Sequence, residues 1–292
     1  HASPTPTTDG ERVYFHFGHN GTAALDLSGK VVWTRTGLYD RPVHGNGGSP
    51  ILVDGRLVFN CDGVDKQFVI ALDAKTGRTA WQKPRGTSVD KPFSFSTPTI
   101  LEDGDKKQIL SIGSGVMSAY DAKSGQELWH TRFTGYSLIP KPVVGNGVVY
   151  FATGYEMPSL RAVKLGGSGD VTDSHAEWTA NKGAPHTPSP LLVGDELYLV
   201  ADRGVMTCLD AKTGKMLWEE RLKGAYSASP IYADGKIYLT SEEGKGTLIE
   251  AGRKFKSLGE FDMKEKTFAS FAAVDGVLYI RTETQLYKFK SR

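Results

Sequence analysis

The segment Ala71-Leu-Asp73-Ala-Lys-Thr-Gly77-Arg-Thr-Ala-Trp81 decides the fold, because it recurs. Further copies read Ala24-Leu-Asp26-Leu-Ser-Gly29-Lys-Val-Val-Trp33, Ala119-Tyr-Asp121-Ala-Lys-Ser-Gly125-Gln-Glu-Leu-Trp129 and Cys208-Leu-Asp210-Ala-Lys-Thr-Gly214-Lys-Met-Leu-Trp218. Each reads as two short strands joined by a tight turn. The Asp side chain caps the turn and the Gly supplies a positive φ. The five tryptophans, Trp33, Trp81, Trp129, Trp178 and Trp218, are spaced by 48, 48, 49 and 40 residues. Random placement rarely gives such spacing, so the chain is read as an internal repeat.

A second element precedes each motif. It is a small or polar residue, usually followed by Pro, then an apolar run, a Gly-containing turn and a β-rich run. Ser49-Pro50-Ile-Leu-Val-Asp-Gly55-Arg-Leu-Val-Phe59 and Ser229-Pro230-Ile-Tyr-Ala-Asp-Gly235-Lys-Ile-Tyr-Leu239 are examples. Others start at Pro4, Pro98, Pro142 and Pro190, with a degenerate one at Phe271. The unit is therefore four antiparallel strands over roughly 40–48 residues, the signature of a β-propeller blade. Pro in the first strand suits an edge facing a central channel. No long segment has the 3.6-residue period of a helical solenoid. Seven repeats are counted. Phe261 is assigned the Trp place in repeat six, and repeat seven supplies three strands. One all-β propeller domain over 1–292 is expected, from a longer parent with an N-terminal closing strand and a possible eighth blade.

Composition bounds the rest. A net charge of +2, with no Lys/Arg block, gives no general reason to bind nucleic acid. No apolar run approaches the ~18 residues of a membrane helix. Two cysteines exclude a disulfide framework and a Cys-based zinc cluster. Cys61 and Cys208 fall in repeats two and five and are expected to be free, buried thiols.

The Ala-x-Asp-x-x-Thr-Gly-x-x-x-Trp pattern resembles the tryptophan-docking repeat of pyrroloquinoline-quinone (PQQ)-like propellers, over nearly the whole chain. The likeness extends to BamB-like proteins, which are extracytoplasmic. The resemblance implies that each Trp packs between blades, on the small residue of its own motif and a turn peptide of the next. It also implies a periplasmic or otherwise extracytoplasmic location, a scaffold role and no bound quinone.

Polar residues enter the strands at equivalent points of successive blades. His44 and Asn46, within His44-Gly45-Asn46-Gly47-Gly48-Ser49, lead into repeat two. Ser94 and Ser96 lead into repeat three, Tyr136 into four, His186 into five and Tyr226 into six. Such donors and acceptors at one channel mouth form a candidate ligand or partner site. The competing reading is that they bond to one another, to backbone and to water. The glycines at 45–48 would admit a ligand or another backbone.

Other candidates carry less. His16 and His19 lack a third ligand, so no metal is assigned. Asp170 and Asp173 sit in a lengthened hairpin of repeat four, where Lys164 replaces the motif Asp, without EF-hand spacing. A solvated turn is expected there. The loop Gly154-Tyr-Glu-Met-Pro158 could line a ligand surface. Glu242 and Glu243 are adjacent, whereas glycosidase carboxylates must face each other. No Gly-x-Ser-x-Gly elbow or P-loop occurs.

The preferred function is a non-catalytic extracytoplasmic scaffold, a monomer binding a protein partner or small polar ligand at a channel mouth. The alternative is a quinoprotein dehydrogenase oxidising an alcohol or sugar with PQQ and calcium. Against it, the adjacent cysteine pair of many such enzymes is absent, and fold does not fix function. A third reading uses His44 and His186 as acid–base groups, although no orienting carboxylate lies close in sequence.

Overall fold

The computed structural model describes residues 3–104 and 106–290. These form seven sheets whose first strands are Thr7–Thr8, Ile51–Val53, Thr99–Asp103, Val143–Gly145, Leu191–Val193, Ile231–Ala233 and Ala272–Val274. Sheets one to six each run four antiparallel strands in chain order, the third with one further strand at its edge, and the seventh has three. The one helical element among the described residues is the 3-10 turn Gly18–Asn20. The fold is an all-β propeller, each sheet one blade. Two compact units are present. The first runs to Pro142 and adds Thr153–Met157 and Lys164–Ala176. The second comprises Val143–Ala152, Pro158–Val163 and the chain from Glu177 onward.

Blade two shows how the sequence builds a sheet. Its strands are Ile51–Val53, Arg56–Asp62, Gln67–Asp73 and Thr79–Pro84. The second and third are buried almost throughout, so they read as continuous apolar runs and not as alternation. The fourth is largely exposed, and Trp81 is its one buried residue. Ala71 pairs with Trp81, and a bulge follows between Ala71 and Leu72. The same register puts Ala24 opposite Trp33, Ala119 opposite Trp129 and Cys208 opposite Trp218, each with the bulge at the same step.

The indoles reach the next blade. Nε1 of Trp33, Trp81, Trp178 and Trp218 donates to the carbonyls of Ala74, Ala122, Ala211 and Gly252, at 2.9, 3.1, 3.0 and 3.1 Å. The motif glycines have two reasons to be glycine. Gly77, Gly125 and Gly214 hold φ of 69, 71 and 69°. A Cβ there would also come within 2.7, 2.5 and 2.7 Å of the rings of Trp33, Trp81 and Trp178. The Asp closes each turn: Oδ1 of Asp73 accepts from the Thr76 N–H at 2.8 Å and the Thr76 hydroxyl at 2.7 Å. These bonds, the hydroxyl first, hold the Asp73 carboxyl below its ordinary range.

A second link ties blade to blade. At four junctions the hydroxyl of the residue before the inner-strand segment accepts the N–H of its counterpart one blade earlier; blade four has Lys141 at this place. Thr5 donates to Ser49 and Ser49 to Thr97 in the first unit. Ser189 donates to Ser229 and Ser229 to Ser270 in the second, all four bonds being 2.9 Å. The small polar residue before Pro is thus a connector.

Two expectations are corrected. In blade six Leu248 pairs with Gly259, and the bulge lies between Leu248 and Ile249. Gly259 therefore holds the Trp place, and Phe261 lies two residues beyond, opposite Gly246. In blade four the Gly166–His175 stretch is more than a solvated turn. Gly169–Asp170 pairs in parallel with Trp129–His130 and gives blade three a fifth strand. Asp170 Oδ1 accepts from the Thr172 N–H at 2.9 Å. Cys61 and Cys208 are both free and buried.

Candidate functional site

In the first unit the segments 44–49 and 93–97 lie together. A Cβ on Gly48 would come within 2.8 Å of the Ser96 carbonyl, and one on Gly47 within 3.1 Å of the Phe95 Cβ. These glycines admit a neighbouring backbone, one of the two occupants their sequence allowed. His44 is exposed and its ring stands 5.9 Å from Phe93 and 6.0 Å from Phe95. Asn46 donates to the Gly48 carbonyl at 3.2 Å and packs over Gly18.

Ser94 and Ser96 are buried. Their hydroxyls donate to the carbonyls of Leu138 at 3.3 Å and Pro140 at 2.9 Å. A polar network lies behind them that the sequence reading did not identify. The Arg85 guanidinium meets the Asp62 carboxylate through two bonds of 2.7 Å, with both side chains buried. Arg85 Nη1 also donates to the Ser111 hydroxyl at 2.9 Å, and Ser111 donates to the Asn60 side-chain oxygen at 2.7 Å. Asn60 Nδ2 then donates to the Ser96 carbonyl at 2.8 Å. Burial raises the Asp62 carboxyl, opposed by the guanidinium charge. The signal in the sequence was Asn60 and Asp62 inside an otherwise apolar run.

Beside this braced segment the surface is aromatic. Tyr136 stands edge-on to Phe93 at 5.9 Å and to Tyr155 at 6.2 Å. Its hydroxyl donates to Glu156 at 2.5 Å and accepts from Lys91 at 2.9 Å. Lys91 also pairs with Glu156 at 3.1 Å and sits 4.2 Å from the Tyr136 ring centre. The hydrogen bond from Tyr136 and then that from Lys91 hold the exposed Glu156 carboxyl below its ordinary range.

The loop carrying Tyr155 is the longest second-to-third-strand turn, spanning 153–159 against 63–66, 201–204 and 241–244. Its base is pinned. Tyr155 N–H donates to the Tyr136 carbonyl at 2.9 Å, and a Cβ on Gly154 would come within 2.1 Å of that oxygen. Its tip presents Tyr155 and Met157, 56% and 89% exposed. Phe17, Val43, Val64 and Val89 are further exposed apolar residues of this unit, in its turns and connecting loops.

In the second unit His186 and Tyr226 meet through one turn. Asp202 Oδ2 accepts from the His186 N–H at 2.8 Å and lies 3.5 Å from its Nδ1. The Asp202 carbonyl accepts from the Tyr226 N–H at 2.8 Å. His186 thus has a carboxylate partner that sequence proximity did not reveal, sixteen residues on. Tyr226 is 1% exposed and packs in the core with Tyr198 and Leu239, so its ring is not a surface donor. In the first unit His16 is buried and His19 exposed.

The sequence profile of the family described as outer membrane protein assembly factor BamB matches residues 1–203 and 167–254. The chain belongs to this family. The BamB of Yersinia pestis is 27% identical over 220 residues, 67% of this chain and 52% of that protein. A quinohemoprotein alcohol dehydrogenase, ADH IIB of Pseudomonas putida, is 30% identical over 255 residues, 73% of this chain but 32% of the enzyme. The crystal structure of BamB from Moraxella catarrhalis superposes with a TM-score of 0.70 at 15% identity, covering 95% of this chain and 78% of that one. The chain spans about half the length of the BamB relatives it matches first.

The dehydrogenase relative raises the question of a quinone and its calcium. Among the described residues no three His, Cys, Asp or Glu side chains come together so as to hold a metal ion.

Proposed function

We propose that this protein is a non-catalytic, extracytoplasmic scaffold that binds a protein partner through its first unit, in the service of outer-membrane protein assembly. The observation that carries this reading is the pinned loop at 153–159, with Tyr155 and Met157 exposed at its tip. Exposed apolar side chains on a rigid support favour a protein contact, since aromatic and Met residues are enriched at interface cores. Tyr136, Phe93 and His44 extend the surface. Ser94 and Ser96 turn their hydroxyls to backbone, which weakens the case for a small polar ligand there. The role in assembly is drawn from the name of the BamB relatives, and the periplasmic location and monomeric state are part of the proposal.

The test is photocrosslinking from position 157 in the envelope of the source cell. A crosslink to an outer-membrane assembly component, lost in a Tyr155→Ser variant, supports the reading. Crosslinks no different from those at position 232, in the second unit, would overturn it. So would dye-linked alcohol oxidation on adding PQQ and calcium.

A further inference from the structure

With two Cys and five Met, the chain carries seven sulfur atoms. They are placed very unequally. Cys61, Cys208, Met117 and Met206 are fully enclosed, and Met263 is 7% exposed. Burial raises both thiols, that of Cys208 to about 12, so neither supplies a reactive thiolate at neutral pH. Met216, on the outer strand of blade five, is 42% exposed. Met157, at the tip of the 153–159 loop, is 89% exposed.

Met157 stands on a backbone that does not depend on its side chain. The Tyr155 N–H is bonded to the Tyr136 carbonyl, and the Glu156 carboxylate to Tyr136 and Lys91. Glu156 holds a φ of 73°, uncommon for a residue with a Cβ. Pro158 keeps the residue before it, Met157, out of the helical region. A change confined to the Met157 sulfur therefore alters the loop tip and leaves the fold alone. The same change at Met117 or Met206 would put a polar group in the core.

We propose that Met157 is an oxidation site through which a peroxide regulates the partner surface. The regulation rests on the reading of that surface as a protein contact. The thioether sulfur attacks one oxygen of a hydroperoxide. The O–O bond breaks as the S–O bond forms. The proton of the transferred oxygen passes to the departing one, which leaves as water or an alcohol. Sulfur is oxidised by two electrons and the peroxide is reduced by two. The sulfoxide is polar, so the tip no longer matches an apolar partner. A methionine sulfoxide reductase restores the thioether.

For the test, the purified full chain is treated with dilute hydrogen peroxide, and sulfoxide is mapped by peptide mass spectrometry. Met157 should convert first and Met216 next, with Met117, Met206 and Met263 slower than Met157 by about tenfold or more. Protein stopped at conversion of Met157 should keep its melting midpoint. In isolated envelopes, photocrosslinking from position 43 to an outer-membrane assembly component should fall about tenfold with peroxide and return after methionine sulfoxide reductase is added. In Met157→Leu, whatever its starting level, this crosslink should not change with peroxide. Three results would overturn the proposal: Met157 oxidised no faster than Met216, a crosslink unchanged while Met157 is converted, or equal sensitivity in Met157→Leu. A crosslink absent before any peroxide would overturn the partner reading and the regulation with it, but not the order of oxidation.

Discussion

The α-carbon of Gly125 lies against the indole of Trp81, so close that a methyl group there would come within 2.5 Å of the ring. Gly55, in the Asp54–Gly55 turn, has nearly the same φ, 70° against 71°, but nothing within 4 Å of an added Cβ. Gly55→Ala should therefore cost only the left-handed backbone penalty, about 1–2 kcal/mol. Gly125→Ala should cost that plus overpacking, about 2–5 kcal/mol in all. Equal losses on chemical denaturation would show that the glycine serves φ alone.

The tryptophans are not equivalent. Trp81 donates to the Ala122 carbonyl, whereas Trp129 is fully buried with no partner for its Nε1 among the described residues. Trp81→Phe should lose a hydrogen bond and leave a carbonyl short of a partner, about 1–2 kcal/mol beyond the change in packing. Trp129→Phe should show no such excess. Trp129→Ala should cost about 3–5 kcal/mol, because the cavity left is large. Equilibrium unfolding of the three variants checks the ranking, and a negligible loss in Trp129→Ala would refute the inter-blade core role.

Removing Arg85 strands the buried Asp62 carboxylate. Arg85→Met should cost about 3–5 kcal/mol at neutral pH, and Asp62→Leu combined with Arg85→Met should recover most of it. The pH dependence follows from burial, which raises the Asp62 carboxyl once the guanidinium is gone. A raised carboxyl favours the fold at low pH and loses that contribution as pH rises through its folded value. The Arg85→Met variant should thus approach the parent as pH is lowered below neutral. A deficit constant with pH would mean that lost packing, and not the stranded charge, dominates.

His16 gives the opposite dependence on pH. It is buried, its Nδ1 pairs with the Thr22 hydroxyl at 2.8 Å, and burial lowers it from the ordinary 6.5 to about 3. The unfolded chain binds a proton between those values and the folded chain does not. Stability is therefore complete above pH 6.5 and falls as pH drops toward 3, by about 1.4 kcal/mol per pH unit. His16→Gln should remove this slope. If urea midpoints of parent and variant fall in parallel from pH 6.5 to 4, the imidazole is not responsible.

The blades were legible because their signals are local. Asp73, Thr76, Gly77 and Trp81 fall within nine residues, and each acts on a turn or an adjacent strand. Phe261 was misplaced because an aromatic near the right spacing reads as a docking residue, while a bulge and a two-residue offset are properties of strand pairing. Site residues were harder. Tyr136 and Tyr226 occupy similar positions in the repeat, yet one is half exposed and the other lies in the core. The Asp202 partner of His186 comes from a turn beyond two intervening strands of the same blade, and the Lys91–Glu156 pair from segments more than one repeat apart. The Arg85–Asp62 pair left only a hint in the sequence, because burial of a charge depends on what packs over it.

The hydroxyls of Ser49, Thr97, Ser229 and Ser270 have a consequence for how such a chain could have grown. Each accepts from the residue at the same position one blade earlier, and Ser49 and Ser229 also donate to the next, so one residue carries both roles there. A tandem duplication of such a segment delivers the hook and the eye together, whereas Lys141, at the same position of blade four, has lost the hydroxyl. Diversification is then free to act on the second-to-third-strand turns, as the elongated 153–159 loop illustrates.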